Sequence, residues 1–264
     1  MSLYLSDLLQ KDYNSLCEKF HKALFNSPDR REAQLYLKKR GITRDLVEKF
    51  KIGWCPLGAK VRESLERLKG RLIFPTIDEY GDVRSFSGRM LVDKEDVKGS
   101  EKRWWNESYE KSFFLYGLDA SALNIIKKNK VIIVEGQPDV IACHKYGFDV
   151  AVALMSDDLN LHQISKLLRF TNNFILMLDG DEAGRESSKN IRLKRFVTEK
   201  TKGFRLRSSA FGEGINVYDV NLYTGGNEYD PDSFLSKYGA DGLKLKLNNS
   251  IKKQKKNRTG DSHG

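Results

Sequence analysis

Three short stretches carry carboxylates at spacings suited to a divalent cation. In VIIVEGQPDV, four apolar residues run into Glu135 and Gly136, and another acid follows at Asp139. In FILMLDGDEAG, an apolar run ends on Asp179 and Asp181 around Gly180. In GGNEYDPDSF, Asp230 and Asp232 repeat the two-residue spacing around Pro231. Residues two apart in an extended segment point the same way, and glycine between them permits a close turn. Hard cations such as magnesium take oxygen ligands, commonly one or two carboxylates with water and phosphate completing the shell. Acids gathered in this way repel one another unless a cation sits among them, and an ion so held stabilises the charge of a phosphoryl-transfer transition state. Magnesium or manganese is therefore the expected cofactor. Zinc is not expected, because Cys17, Cys55 and Cys143 are far apart and form no CxxC pair. Each motif also has a structural reading. Asp-Gly-Asp is a common turn composition, Asp-Pro-Asp can cap the helix that DPDSFLSKYG would begin, and Asp139 can serve as a helix-start residue.

The elements that would position these acids alternate. Apolar runs predict strands at 131–135, 150–154 and 174–178, with helical patterns near 121–128, 138–146, 160–169 and 183–198. That alternation argues for an α/β fold with a mainly parallel sheet covered by helices on both faces. Ligands gather at the carboxyl ends of such strands, where Glu135 and Asp179 fall.

The earlier part of the chain reads differently. Leu16, Phe20 and Leu24 share a helical face. SPDRREAQLYLKKRG predicts a helix opened by Ser27 and Pro28 and stopped by Gly41. TRDLVEKFKIG predicts another, capped by Thr43 with Gly53 beyond its end. From Gly70, short apolar runs on either side of Glu79-Tyr80-Gly81-Asp82 predict a hairpin, with Arg71 and Arg89 at strand edges. A polar loop then carries Lys98, Lys102, Arg103, Trp104 and Trp105. Aromatics interleaved with cations hold single strands by stacking bases and following phosphates; the competing expectation is that the two tryptophans pack the loop onto the core.

Forty-six basic residues against thirty-six acidic ones give a net charge of +10, a surplus that favours a polyanionic partner. Charge alone leaves a generically basic protein equally open. No apolar run approaches the roughly 18 residues of a membrane span. The amino terminus lacks the pattern of a secretory signal, so the expectation is a cytoplasmic protein without disulfides and without a membrane partner. The end of the chain, NNSIKKQKKNRTGDSHG, is basic without apolar periodicity and is predicted to be irregular.

The order of these motifs resembles the Toprim domain shared by primases, topoisomerases and some nucleases. VEGQPDV is similar to its Glu-Gly-x-x-Asp element and LDGDEAG to its Asp-x-Asp element. Further blocks, FHKAL, YLKKRGIT, FKIGWCP, GRLIFPTID, GDVRSFSGRML, KSFFLYGL and DPDSFLSKYG, resemble in that order the RNA polymerase core of bacterial and phage replicative primases, over roughly residues 16–247. The resemblance implies a mixed α+β subdomain at 1–120 that contacts template and nucleotide, and a Toprim catalytic domain at 121–225. It implies a short helical segment at 226–250, leaving a basic tail at 251–264. It implies that Glu135, Asp179 and Asp181 hold catalytic metal, with Asp139, Asp230 and Asp232 contributing to metal or nucleotide phosphates. Lys111 matches a lysine near the active centre; Arg71 and Arg89 match residues facing template or nucleotide, beside Arg103, Trp104 and Trp105. The implied activity is primer synthesis from ribonucleoside triphosphates on a single-stranded DNA template. The implied partners are a replicative helicase or a separate template-recognition protein. A Toprim nuclease, or a non-catalytic single-strand-binding accessory of a helicase, are the alternatives. The chain departs from the pattern in lacking an amino-terminal zinc module and a carboxyl-terminal helicase-related domain. It also has LMSDD where the family has glycine after the second Toprim strand.

Overall fold

Helix α1 (Asp7–Asn26) shows how the first part of the chain folds. Tyr13, Cys17, Phe20 and Leu24 recur at intervals of three and four residues, and all four are buried. The computed structural model describes the backbone of residues 7–92, 102–107, 113–155, 159–178 and 215–260. The chain divides into two units, Met1–Glu110 and Lys111–Gly264.

In the first unit, α1 is followed by α2 (Arg31–Lys39) and α3 (Arg44–Lys49). Ser27 and Pro28 do not open α2. The Ser27 carbonyl instead accepts bonds from Arg30 N at 3.4 Å and Arg30 Nη1 at 2.6 Å. Asp29 meanwhile accepts from Trp54 Nε1 at 2.9 Å and Leu57 N at 3.1 Å. The turn is thus tied to the strand that follows α3, and the helix starts three residues after Pro28. Thr43 does cap α3, its hydroxyl accepting from Leu46 N at 3.4 Å. The left-handed residue ending that helix is Lys51 (φ 49°), not Gly53. Gly53 belongs to β1 (Gly53–Cys55), where an added Cβ would lie 2.7 Å from the Phe20 carbonyl carbon; α1 crosses the strand at the one residue without a side chain.

A 3₁₀ helix (Glu63–Leu68) leads to β2 (Arg71–Ile77) and β3 (Val83–Arg89), the predicted hairpin, and β4 (Trp104–Asn106) completes an antiparallel sheet ordered β1-β2-β3-β4. Its turn is organised by Asp78, whose Oδ1 accepts from Tyr80 N at 2.9 Å and Asp82 N at 3.1 Å, while Oδ2 receives Arg84 Nε at 2.7 Å. Leu65, Leu68, Ile73 and Phe86 pack with the α1 residues in one core, Phe86 lying between the rings of Tyr13 and Phe20 at 5.4 Å from each.

The second unit alternates α4 (Leu118–Lys128), β5 (Val131–Val134), α5 (Gln137–Lys145), β6 (Ala151–Ala153), α6 (Leu161–Leu167) and β7 (Asn173–Leu176). Strand β8 (Asn216–Asp219) follows. The sheet is parallel and ordered β6-β5-β7-β8, with all four β5 residues buried at its centre. This is the expected α/β arrangement preceded by a mixed α+β unit. Strand β8 has no counterpart in the sequence reading, and the helix predicted at 183–198 lies outside the described residues. Helix α7 (Pro231–Gly260) is broken in two at Gly239 (φ 66°). Its backbone stays helical to Gly260, thirteen residues into the segment predicted to be irregular. Absence of an apolar stripe was the basis of that prediction, but lysine and glutamine are good intrinsic helix formers.

Candidate functional site

Glu135 is the residue immediately after β5, half-buried at the carboxyl end of the central strand. Its carbonyl accepts a bond from Met155 N at 3.1 Å. Met155, in the turn after β6, has φ 59°, the left-handed conformation that glycine adopts freely and a long side chain adopts at a cost. This turn is where the family pattern has glycine and this chain has LMSDD, so the departure read from the sequence coincides with a strained residue bonded to the backbone of a candidate acid.

Asp139 is buried in the first turn of α5 and its two oxygens accept separate backbone bonds. Gly136 N donates to Oδ2 and Asp232 N to Oδ1, each at 3.3 Å. The first bond ties the Asp139 side chain, in the first turn of α5, back to the N-cap backbone, which is half of a capping box; the second joins that helix to the start of α7. Two helix amino termini, each carrying partial positive charge, therefore meet on one carboxylate. Asp230 caps α7, its Oδ1 accepting from Ser233 N at 2.6 Å and its carbonyl from Phe234 N at 2.9 Å; its side chain is exposed. The geometry thus gives Asp139 and Asp230 the helix-start roles that their spacing also allows, and it brings Asp139 and Asp232 together beside α5. Replacing Asp139 by alanine removes both acceptors and should destabilise the protein by about 1–2 kcal/mol. Urea unfolding measures this, and an unchanged midpoint would contradict the bridge between α5 and α7.

Asp179, Asp181 and Lys111 lie outside the described residues. The register pairs Ile133 with Leu176, and Met177 N donates to Ile133 O at 2.9 Å, so by continuation Leu178 stands level with Glu135 at the same end of the sheet. Among the described residues no three acids, histidines or cysteines group as a metal site would require. The segment just after Lys111 is held by Gln163, whose Nε2 donates to Phe114 O at 3.0 Å and Leu154 O at 3.2 Å. The backbones of Tyr116 and Ala153 bond reciprocally at 3.0 Å. Gln163 is fully buried, an anchoring role that a glutamine in a helical pattern does not announce in the sequence.

In the first unit four of the five basic and aromatic candidates, Arg71, Arg89, Trp104 and Trp105, fall on two faces of one sheet. Arg89 pairs across the ladder with Leu72 and with Trp104. Its guanidinium lies over the Trp104 ring at 5.3 Å and the Tyr36 ring at 5.1 Å, and Trp104 packs on Phe74 at 5.2 Å between ring centres. Side chains alternate along a strand, so Arg71 points to the opposite face. There its Nη1 donates to the carbonyls of Lys102 and Arg103 at 3.1 and 3.2 Å, and Trp105 packs against the core. Both tryptophans are half-buried; Trp105 does the packing that competed with stacking as an expectation. Arg103, also half-buried, accepts from Met90 N through its carbonyl at 2.8 Å.

His21, His144 and two of the cysteines serve the fold. His21 lies 2.8 Å from Ile52 O and 2.9 Å from Glu48 Oε2, joining α1 to α3, and His144 Nε2 meets Ser121 Oγ at 3.1 Å in the interior. Burial pushes the Cys55 thiol up to about 12. It raises Cys143 well above the ordinary range, with Asp139 and Asp232 adding to the effect. Both thiols therefore remain protonated at neutral pH and are poor nucleophiles.

Comparison with known proteins bears on this arrangement. The model of the Toprim domain matches residues 129–206. The DNA primase of Staphylococcus epidermidis is 28% identical over 257 residues, which covers 87% of this chain and 39% of that protein. The DNA primase of Escherichia coli K12 is 27% identical over 263 residues, covering 88% and 42%, and that of Lactococcus lactis is 31% identical over 205 residues, covering 67% and 32%. This chain thus spans about two-fifths or less of the length of these curated relatives. The solved E. coli primase catalytic core superposes with a TM-score of 0.73 at 26% identity, over 92% of this chain and 80% of that one. A DnaG primase catalytic domain bound to ssDNA shares the fold, with a TM-score of 0.73 at 24% identity over 92% and 78% of the two chains. The chain contains a Toprim domain and is related, in sequence and in fold, to the catalytic core of the bacterial DNA primases.

Proposed function

We propose that the protein synthesises short RNA primers on single-stranded DNA by metal-dependent nucleotidyl transfer during DNA replication. The observation that carries this reading is the extent of the likeness: it covers both units of the chain, 92% of it against the E. coli primase catalytic core, whereas a Toprim domain alone would leave the nuclease reading equally open. In the reaction, the 3′ oxygen of one nucleotide attacks the α-phosphorus of the next, a new P–O bond forms, the bond to pyrophosphate breaks and the hydroxyl proton leaves. Glu135, with Asp179 and Asp181, would hold the divalent metal, magnesium or manganese. When bound, the metal supplies a lowered hydroxyl pKa and charge neutralisation at the phosphates. The carboxyl end of β5 fits this role, since it offers Glu135 half-buried at the position where ligands collect in parallel sheets.

Asp139 aligns the starts of α5 and α7, and so fixes Asp232 relative to Glu135 for contact with metal or nucleotide phosphates. Lys111 would neutralise phosphate charge in the same site. On the first unit, the Trp104 ring, backed by Arg89 and Phe74, marks the side of the sheet we assign to template, where the indole offers a stacking surface. The excess of positive charge then makes the grip on template fall as salt rises. A replicative helicase or a separate template-recognition protein is the partner this reading implies, and the cytoplasm is the compartment; among the described residues no helix is long and apolar enough to cross a membrane.

The test incubates the protein with a mixed-sequence single strand, labelled ribonucleotides and either metal. Short labelled oligonucleotides over an intact template are the expected result. A cut template with no product would transfer the acids to hydrolysis and replace this reading with a nuclease.

A further inference from the structure

Among the described residues, the most exposed large apolar side chain is Leu123 of α4, at 82%, and one turn further on Ile126 is 49% exposed. The opposite face of the helix does the packing. Leu118, Ser121 and Ile125 are buried, and Ser121 Oγ donates to Ala151 O at 2.8 Å, which fixes α4 to β6. Leu123 and Ile126 thus serve no core. Helical spacing gathers Asp119, Leu123, Ile126 and Lys127 on this outward face, with half-buried Ala120 at its margin. Lys128 is held by Asp149, whereas Lys127 enters no ion pair among the described residues.

The face is complementary to itself. Two copies of α4 laid antiparallel about a two-fold axis at Leu123 oppose residues equally far from that position. Leu123 then meets Leu123 of the second copy, Ile126 meets Ala120, and Lys127 meets Asp119. Apolar groups cover one another and each charge faces its opposite. A parallel pair in register would set Asp119 on Asp119 and Lys127 on Lys127, which repel. Strand addition beside α4 is blocked. On the edge strand β6, Ala153 exchanges backbone bonds with Tyr116 at 3.0 Å, and Ala151 O is taken by Ser121.

We propose that α4 is a surface for self-association, on which a second copy of this chain docks its own α4 antiparallel about Leu123. A helix of 11 residues is roughly 16 Å long, and one such pair buries less than the roughly 1,200 Å² of a stable interface. The dimer is accordingly weak and depends on concentration. It needs neither the acids nor a metal, and it stands or falls independently of the polymerase reading.

The test is sedimentation equilibrium of the full chain from about 1 to about 500 μM, a range suited to a small and transient interface. The expected result is a mass that rises with concentration from one chain toward two. Leu123→Glu brings two carboxylates together at the axis and should weaken the dimer at least about tenfold. Its side chain is exposed, so the fold should survive, and circular dichroism checks this. Asp119→Lys and Lys127→Glu test the geometry. Each alone opposes like charges and should stay monomeric, whereas an equal mixture of the two restores opposite charges at both contacts and should dimerise. The mass of a single chain throughout the range would overturn the surface. A dimer equally strong in Leu123→Glu would place the contact away from α4 and overturn it too. A mixture no heavier than either variant alone would overturn the antiparallel pairing.

Discussion

Glu135→Gln should lower metal-dependent nucleotide incorporation by about 10²- to 10³-fold, the equivalent of a few kcal/mol of transition-state stabilisation. Glutamine keeps the volume and one oxygen but removes the charge that draws a divalent ion to the end of β5. The side chain is half-buried at the strand end, and its backbone carbonyl, which holds Met155 N at 3.1 Å, is untouched by the change. Folding should therefore survive. The variant should also need more metal for half-maximal rate, which separates a ligand from a residue that merely shapes the site. Single-turnover incorporation across a manganese titration measures both quantities. A rate within threefold of wild type at every metal concentration would remove Glu135 from the catalytic set.

The largest expected effect on stability lies in the first unit, at the hairpin turn. The side chains of Asp78 and Arg84 are 4% and 8% exposed and are bonded to each other at 2.6 Å. Arg84→Met would leave the Asp78 carboxylate buried with only its two backbone donors, Tyr80 N and Asp82 N. Removing one partner of a buried pair costs about 3–5 kcal/mol, because the remaining charge stays desolvated. Urea denaturation should show that loss, and the double change Asp78→Asn/Arg84→Met should recover part of it, since the uncompensated charge is then gone. A loss below about 1 kcal/mol would mean that the turn relaxes and lets water reach the carboxylate.

How much of this was legible beforehand follows from the physics of each element. The buried strands of the second unit announce themselves because continuous runs such as Val131–Val134 occur where both faces of a parallel sheet are covered. Strand β8 does not, because it sits at the edge of the sheet and reads Asn-Val-Tyr-Asp, with Val217 as its one fully buried side chain. Thr43 was readable as a cap because its oxygen acts locally. Ser27 was misread because Asp29 is engaged by Trp54 and Leu57, residues distant in sequence. Gly53 does lie beyond the end of α3, but its need to be glycine comes from Phe20, more than thirty residues earlier, and was not readable locally.

At the candidate site, the strand end and the two-residue spacings singled out Glu135, Asp230 and Asp232, and the resemblance added Asp139. Spacing could not say that Asp139 would use both oxygens on helix starts, nor that its second donor would be the backbone of Asp232. The period of a strand does carry the remaining lesson. Arg71 and Arg89 look alike as basic residues at strand edges, yet their positions on paired antiparallel strands send them to opposite faces. Two residues that the resemblance links alike to template or nucleotide thus lie on two surfaces of the fold, and only the one bearing Trp104 is assigned to template.

The central claim is that the acids serve synthesis directed by a template. Its most direct measurement is the sequence of the product. The protein is incubated with ribonucleotides, manganese or magnesium and a single-stranded DNA of known sequence, and the oligonucleotides formed are sequenced. Products complementary to the template, whose sequence changes when the template is changed, are the predicted result. Oligonucleotides whose composition is indifferent to the template, or a template shortened with no product formed, would contradict it.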